Sequence, residues 1–223
     1  MADTDDTLGA QVLAHLRAQL VTGLLAPGER LSLRTLGLQL GVSMQPVRDA
    51  VARLVAERAL EVTPKRAVQV AFLSAPQFRE LTAIRQTLEG FAAEQAALRH
   101  GRGELGAMRR HAAAFRRQCE RATPDTDAAI VANAKLHFAV YRAAGMPALT
   151  AIIEGLWLRI GPALNLDMRA APQRISTAPS ARCHAQLVAA VEAGDAAAAG
   201  AALREDIGSS ADFILQRGVL PPK

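Results

Sequence analysis

Apolar positions along the first sixty residues recur at helical spacing. Val12, Leu13, Leu16, Leu20 and Val21 gather on one side of a helix predicted over residues 7–23. The stretch "APGER", Ala26 to Arg30, is a turn signal that ends it. Ser32 caps a short second helix carrying Leu33, Leu36 and Leu40, and Gly41 stands where a helix C-terminus favours glycine. A third helix opens within "GVSMQPVRDAVARLVAERAL". There Ser43 is the N-cap, its hydroxyl expected to accept a hydrogen bond from a backbone NH that has no helical partner. Pro46 falls in the first turn, where a missing NH costs little. Val47, Ala50, Val51 and Leu54 make the buried face, which leaves Ser43, Met44, Gln45 and Arg48 on another face at the N-terminal end. The period then changes from 3.6 to 2. Leu60 and Val62, then Val68 and Val70, alternate around "TPKRA", so two short strands joined by a basic turn are predicted. Three helices and a hairpin in this order make a winged helix-turn-helix.

From Ser74 the helical period runs almost to the end. "SAPQ" reads as a capping box opening a helix over 76–100, and further helices are predicted over 103–121, 125–144, 147–168, 178–193 and 195–217. Asp195 caps the Ala-rich last helix. The fold class is therefore mainly α, with a winged helix-turn-helix over 1–73 and an all-helical domain over 74–223. A chain of 223 residues suffices for two such cores, and half hydrophobic residues with only 4% aromatics suit helices rather than a sandwich. Formal net charge of +5 permits a polyanionic partner. Cys119 and Cys183 are too few for a disulfide scaffold and are expected as reduced thiols. No apolar run is long enough to span a membrane, and "MADTDDT" lacks the basic and apolar regions of a signal peptide. A soluble, cytoplasmic protein is expected.

In a helix-turn-helix, residues at the start of the second helix of the motif meet base edges in the major groove. Ser43, Met44, Gln45 and Arg48 hold those places. The amide of Gln45 can pair with adenine in two-point fashion, and the guanidinium of Arg48 suits guanine or phosphate. Arg34, on the preceding helix, is placed for the DNA backbone, and Lys65 and Arg66 sit at the wing tip. The alternative is a set of ordinary solvated side chains on a small helical subdomain.

The stretch "LLAPGERLSLRTLGLQLGVSMQPVRDAVARLVAERALEVTPKRAVQV" closely resembles the DNA-binding domain of the GntR transcription regulators. "PGERL", "LGVS", "PVRDAV" and "RL" match at that family's spacing, which implies that Arg34, Ser43, Gln45 and Arg48 touch an operator. Met44 replaces the common Arg after "GVS", Ala67 stands where the wing often has Gly, and Ala59 precedes Leu60 where Gly is usual. Those departures bear on which operator is read.

"ELTAIRQTLEGFAAEQAA", Glu80 to Ala97, resembles the first helix of the FCD ligand-binding domain of the FadR-type branch, and the similarity runs on to about residue 215. In that domain helices surround a cavity, and many members hold a divalent metal through Asp-x-x-x-His on one helix and a His on each of two later ones. The resemblance places Asn133 where Asp is usual, His137 and His184 at two of the histidines, and Asp206 at the last. Asn133 and His137, four residues apart, share one helical face. Two imidazoles, one carboxylate and one amide oxygen are compatible with Zn, Ni, Mn or Fe(II). The alternative is hydrogen-bonded core histidines without a metal. Cys183 lies about 100° around its helix from His184 and is not counted as a ligand.

Arg85 matches the family's Arg near the ligand site and Arg159 is a second candidate; either can clamp a carboxylate effector. The competing role for Arg85 is an i,i+4 ion pair with Glu89. The resemblance implies a ligand-responsive regulator, a homodimer binding a palindromic operator; repression relieved by ligand is the commoner mode in similar proteins, while the sequence itself does not decide the sign, and an architectural DNA-binding protein without an effector is a competing reading. A metal-dependent enzyme would need a base or nucleophile beside the ligand cluster, and the chain has no such motif.

Overall fold

The computed structural model describes residues 2–170, 172, 174–177 and 179–221. They divide into two compact units, one running to Leu73 and including Trp157–Leu166, the other comprising Ser74–Leu156 and the remainder from Asp167.

The first unit holds helices α1 (Ala2–Val21), α2 (Leu33–Leu40) and α3 (Met44–Ala56) and strands β1 (Arg30–Leu31), β2 (Leu60–Val62) and β3 (Val68–Val70). Its core is the predicted one: Val12, Leu16 and Leu20 from α1 meet Val47, Ala50, Val51 and Leu54 from α3, with Leu36, Leu60 and Val70 closing it. Ser32 caps α2 by accepting from the Thr35 NH, and Gly41 ends it at φ 65°, a conformation that costs a side-chain-bearing residue energy but glycine little. Ser43 is the N-cap of α3 by position, but its side chain makes no capping bond, contrary to the sequence expectation. The hydroxyl stays exposed instead. Strands β2 and β3 fall where the alternation puts them. Strand β1 was not predicted. It is two residues long, too short to show a period, and pairs with β3 so that the sheet order is β1-β3-β2.

The second unit is helical: α4 (Ala75–Arg99), α5 (Arg102–Cys119), α6 (Thr126–Ala143), the ends of α7 (Pro147–Ala170), α8 (Arg174–Thr177), α9 (Ser180–Ala193) and α10 (Ala196–Gln216). The predicted capping box is present: Ser74 accepts from the Gln77 NH while the Gln77 side chain accepts from the Ser74 NH. Asp195 caps α10 as expected. The predicted start of the α9 helix at 178 lies outside the described residues, and α8 is an extra single turn. Helix α4 packs along α10, α5 against α6, and α9 against both α5 and α10. Small residues such as Ala92, Ala93, Ala96, Ala199 and Ala202 line buried positions on α4 and α10, letting the two approach closely.

The middle of α7 belongs with the first unit. Leu158 joins that unit's core, the buried Asn165 amide donates to the Val21 carbonyl at 2.8 Å, and a methyl group on Gly161 would sit 2.6 Å from the Leu20 carbonyl oxygen. Periodicity alone places α7 on a helix but says nothing about which unit its faces meet.

Candidate functional site

Two groups of side chains stand out. On the first unit, Ser43, Met44, Gln45 and Arg48 are all exposed at the start of α3, while Pro46 and Val47 between them are buried. Arg34 on α2 and Lys65 and Arg66 at the turn between β2 and β3 are exposed too. Among the described residues Arg34, Arg48, Lys65 and Arg66 have no acidic partner, whereas Arg17 pairs with Glu57 at 2.5 Å. The Gln45 amide donates to Asp49 one turn later at 2.9 Å, which holds its side chain along the helix and leaves its carbonyl oxygen open. The wing turn is closed by Thr63, which accepts from the Arg66 NH at 2.8 Å and through its hydroxyl from the Ala67 NH. Arg66 takes the left-handed conformation at φ 60°. The turn therefore asks for positive φ at 66, not at Ala67, and an arginine holds that place at an energetic cost.

In the second unit a chain of buried polar groups runs across four helices. From α4, Arg85 donates through Nε to Glu89 Oε1 at 2.6 Å and through its terminal NH to Oε2 at 3.2 Å. From α6, the Tyr141 hydroxyl donates to Glu89, and its oxygen sits 2.9 Å from His137 Nδ1. His137 Nε2 lies 3.1 Å from Asp206 Oδ2 on α10, and His184 Nε2 of α9 lies 3.5 Å from the same oxygen. Donor atoms of His137, His184 and Asp206 all fall within 4.8 Å of one another. Phe115 meets the His184 ring edge-on at 4.7 Å. Every member is buried, from 0% exposure at Glu89 to 5% at Asp206.

The hydrogen-bond directions determine the imidazole. Because the Tyr141 hydroxyl proton goes to Glu89, its oxygen accepts from His137 Nδ1–H. In a neutral ring that turns the Nε2 lone pair toward the Asp206 carboxylate, and two lone pairs at that range repel unless a proton or a cation lies between them. Burial opposes ionisation of Asp206, but the two histidines beside it outweigh this and hold its carboxyl well below the usual range. His184 Nδ1 and Nε2 and Asp206 Oδ1 are buried and make no hydrogen bond. Orphaned buried polar atoms of this kind cost about 1–3 kcal/mol each unless something satisfies them. A divalent cation held by His137, His184 and Asp206 fits those donors, and the Nδ1–Tyr141–Glu89 link is the support that a metal-bound imidazole ordinarily carries. Burial pushes the neighbouring Cys183 thiol up to about 11, so it stays protonated and is a poor ligand.

The other sequence candidates fare differently. Asn133 lies half-buried one turn before His137, and among the described residues no hydrogen bond ties its amide to the three. Arg85, expected as a clamp for an effector, instead clamps Glu89; this is the i,i+4 pair, and its charge is held despite burial by that carboxylate. Arg159 lies on the α7 segment of the first unit, because Leu158, Gly161 and Asn165 anchor that segment there, so it is not assembled into this cluster. Tyr141 had no assigned role. Its signal was its spacing: as the chain's one tyrosine it follows His137 by four, as Glu89 follows Arg85.

A winged helix-turn-helix with exposed cations, followed by a helical domain with a buried His/His/Asp set, is the architecture of a DNA-binding regulator. Residues 8–70 match the family of bacterial regulatory proteins called the gntR family, and residues 80–209 match the FCD domain. The chain is 35% identical over 159 residues to the HTH-type transcriptional regulator McbR of Escherichia coli (strain K12), covering 71% of each chain. The solved structure of E. coli McbR/YncC superposes with a TM-score of 0.86 at 31% identity, over 95% of this chain and 98% of that one. The HTH-type transcriptional repressor RspR of E. coli (strain K12) is 36% identical over 87 residues, 39% of this chain and 38% of its own. The protein belongs to the GntR family in its FCD-domain branch and is a transcription regulator. Among the described residues no helix is long and apolar enough to cross a membrane.

Proposed function

We propose that the protein is a ligand-responsive repressor that binds a palindromic operator as a homodimer and senses a small carboxylate through a divalent metal in the helical domain. The observation that carries the sensing half is the set of buried, unsatisfied atoms on His184 and Asp206 beside His137. His137, His184 and Asp206 would hold the ion, with Asn133 as a fourth donor; when bound it supplies a positive centre to which a carboxylate can add. Tyr141 keeps Nδ1 of His137 as the donor, so that Nε2 is the nitrogen that would ligate, while Glu89, fixed by Arg85, keeps Tyr141 in place. An effector changes operator affinity only as far as it binds one arrangement of the protein better than another.

For the reading head, Arg48 and Gln45 take base edges, Ser43, Met44 and Arg34 lie beside them, and Lys65 and Arg66 take the wing contact. DNA selected by the wild-type protein from a random pool gives the operator for testing. Arg48→Ala is expected to weaken binding to it by about 10–100-fold in a fluorescence-anisotropy titration, with the melting temperature unchanged. Unaltered affinity removes Arg48 from the reading face. Arg66→Gly separates two roles in one residue. It relieves the left-handed strain, so stability is expected to hold or rise by up to ~1 kcal/mol, while the slope of log affinity against log salt falls by about one. A salt slope equal to wild type would mean that the wing tip does not meet phosphate.

A further inference from the structure

Helix α5 carries two rows of arginine, and only one of them is neutralised. Arg109 pairs with Glu192 of α9, and Arg116, seven residues on, pairs with Glu120. Arg110 and Arg117 form the second row. Residues seven apart differ by about 20° around a helix, so these two stand in line, about 10.5 Å apart along the axis and about 100° round from the first row. Helix α6 packs against α5 and adds Lys135 and Arg142, again seven apart. All four are exposed, and among the described residues none makes an ion pair. Half-buried His111 lies between the helices and makes no hydrogen bond among the described residues. Burial lowers its pKa, and Lys135, Arg110 and Arg142 lower it further, so these cations crowd around one imidazole. The acids on or flanking the two helices are already engaged. Glu104 accepts from the Gly101 NH, Glu120 holds Arg116, Asp125 caps α6 and Asp127 takes Arg169.

Like charges gathered without an anion repel one another, and a polyanion laid across them removes that cost. We infer that Arg110, Arg117, Lys135 and Arg142 form a second DNA-contacting surface, on the helical unit, which holds the phosphate backbone of duplex DNA irrespective of sequence. Two observations favour DNA over an acidic protein. A protein interface has an apolar core with aromatic anchors. Yet among the described residues none of the exposed large hydrophobic side chains lies on α5 or α6. Three of the four cations are arginines, whose planar fork matches two phosphate oxygens at once. Phosphate contacts add affinity and fix position but carry no sequence information, so this strip supports the reading head without sharing its role. It depends on neither the metal nor the effector.

The test uses the full chain and a long duplex of random sequence, with affinity measured by fluorescence anisotropy over a range of salt. The double variant Arg110→Gln with Arg117→Gln is expected to lower the slope of log affinity against log salt by about 0.9 for each cation removed. Lys135→Gln with Arg142→Gln repeats the test from α6 and is expected to do the same. Arg109→Gln with Arg116→Gln makes an equal change in net charge on the same helix, but in the row already held by Glu192 and Glu120, and is expected to leave the slope near wild type. On the operator and its single-base variants, the first two pairs should weaken binding uniformly, with the order of preference kept. Exposed side chains leave melting temperatures as in wild type; if the α5 pair does not fold, the α6 pair decides. Slopes equal to wild type for both pairs overturn the proposal. So does an equal fall in the Arg109 and Arg116 control, because net charge alone would then account for it. Unaltered DNA slopes together with lost binding to a poly-glutamate chain would assign the strip to an acidic protein instead.

Discussion

Replacing Glu89 with Ala is expected to destabilise the helical domain by about 3–5 kcal/mol, measured as the shift of its urea transition. Glu89 is fully buried, accepts both bonds from a guanidinium only 3% exposed, and takes the Tyr141 hydroxyl as well. Removing it strands a charge that cannot be neutralised by losing a proton at any ordinary pH, because the Glu89 carboxylate and the other anionic groups around Arg85 raise an already high pKa against the cost of burial. Glu89→Gln is expected to cost less, since an amide oxygen still accepts from Arg85 and Tyr141. The double change Arg85→Met with Glu89→Leu should recover much of the loss, because it removes both charges together. A loss below about 1 kcal/mol for Glu89→Ala would mean that water reaches the guanidinium, and the chain of bonds to His137 would then lose its anchor.

Second in size is the effect of a metal. Protein stripped with a chelator is expected to gain thermal stability on addition of Zn, Ni, Mn or Fe(II), by about 4 kcal/mol when the free ion exceeds its dissociation constant a thousandfold. His184→Ala removes a ligand whose two ring nitrogens are otherwise unsatisfied, and should abolish that gain while leaving the stability of the stripped protein close to wild type. Tyr141→Phe tests the supporting link separately. The three ligands survive, but His137 Nδ1 loses its acceptor, so metal affinity is expected to fall about 10–100-fold in a competition titration with a chromophoric chelator. Stripped wild-type protein whose melting temperature ignores all four ions would show that the His/His/Asp set is a polar core and not a ligand set.

Much of the reading head was legible because local rules set it. The caps at Ser32 and Ser74, the strands Leu60–Val62 and Val68–Val70, and the exposure of Arg48 beside buried Val47 all follow from spacing within a few residues. Strand β1 is missed for the opposite reason: it exists only through its pairing with β3, 37 to 39 residues away along the chain. The Ser43 hydroxyl shows the same limit at a smaller scale, since the sequence offers the cap but not whether the rotamer makes it. For the buried cluster, the resemblance placed Asn133, His137, His184 and Asp206 as a group, and the structure brings together donor atoms of the last three. It left Glu89 as a bystander to Arg85 and gave Tyr141 no part, although those two connect the cluster's ends.

Composition, period and capping by themselves determine that this chain makes a winged helix-turn-helix followed by helices, and which faces of the first and third helices turn inward, because those outcomes depend on neighbours three or four residues apart. Only tertiary structure decides that the Tyr141 hydroxyl reaches Glu89, that Arg159 sits with the first unit, and that the same hydroxyl orients His137. These depend on atoms brought together from 52 or 69 residues away, as Tyr141 is to Glu89 and His137 to Asp206. A one-dimensional pattern carries no distance between such residues; close packing of the helices supplies it.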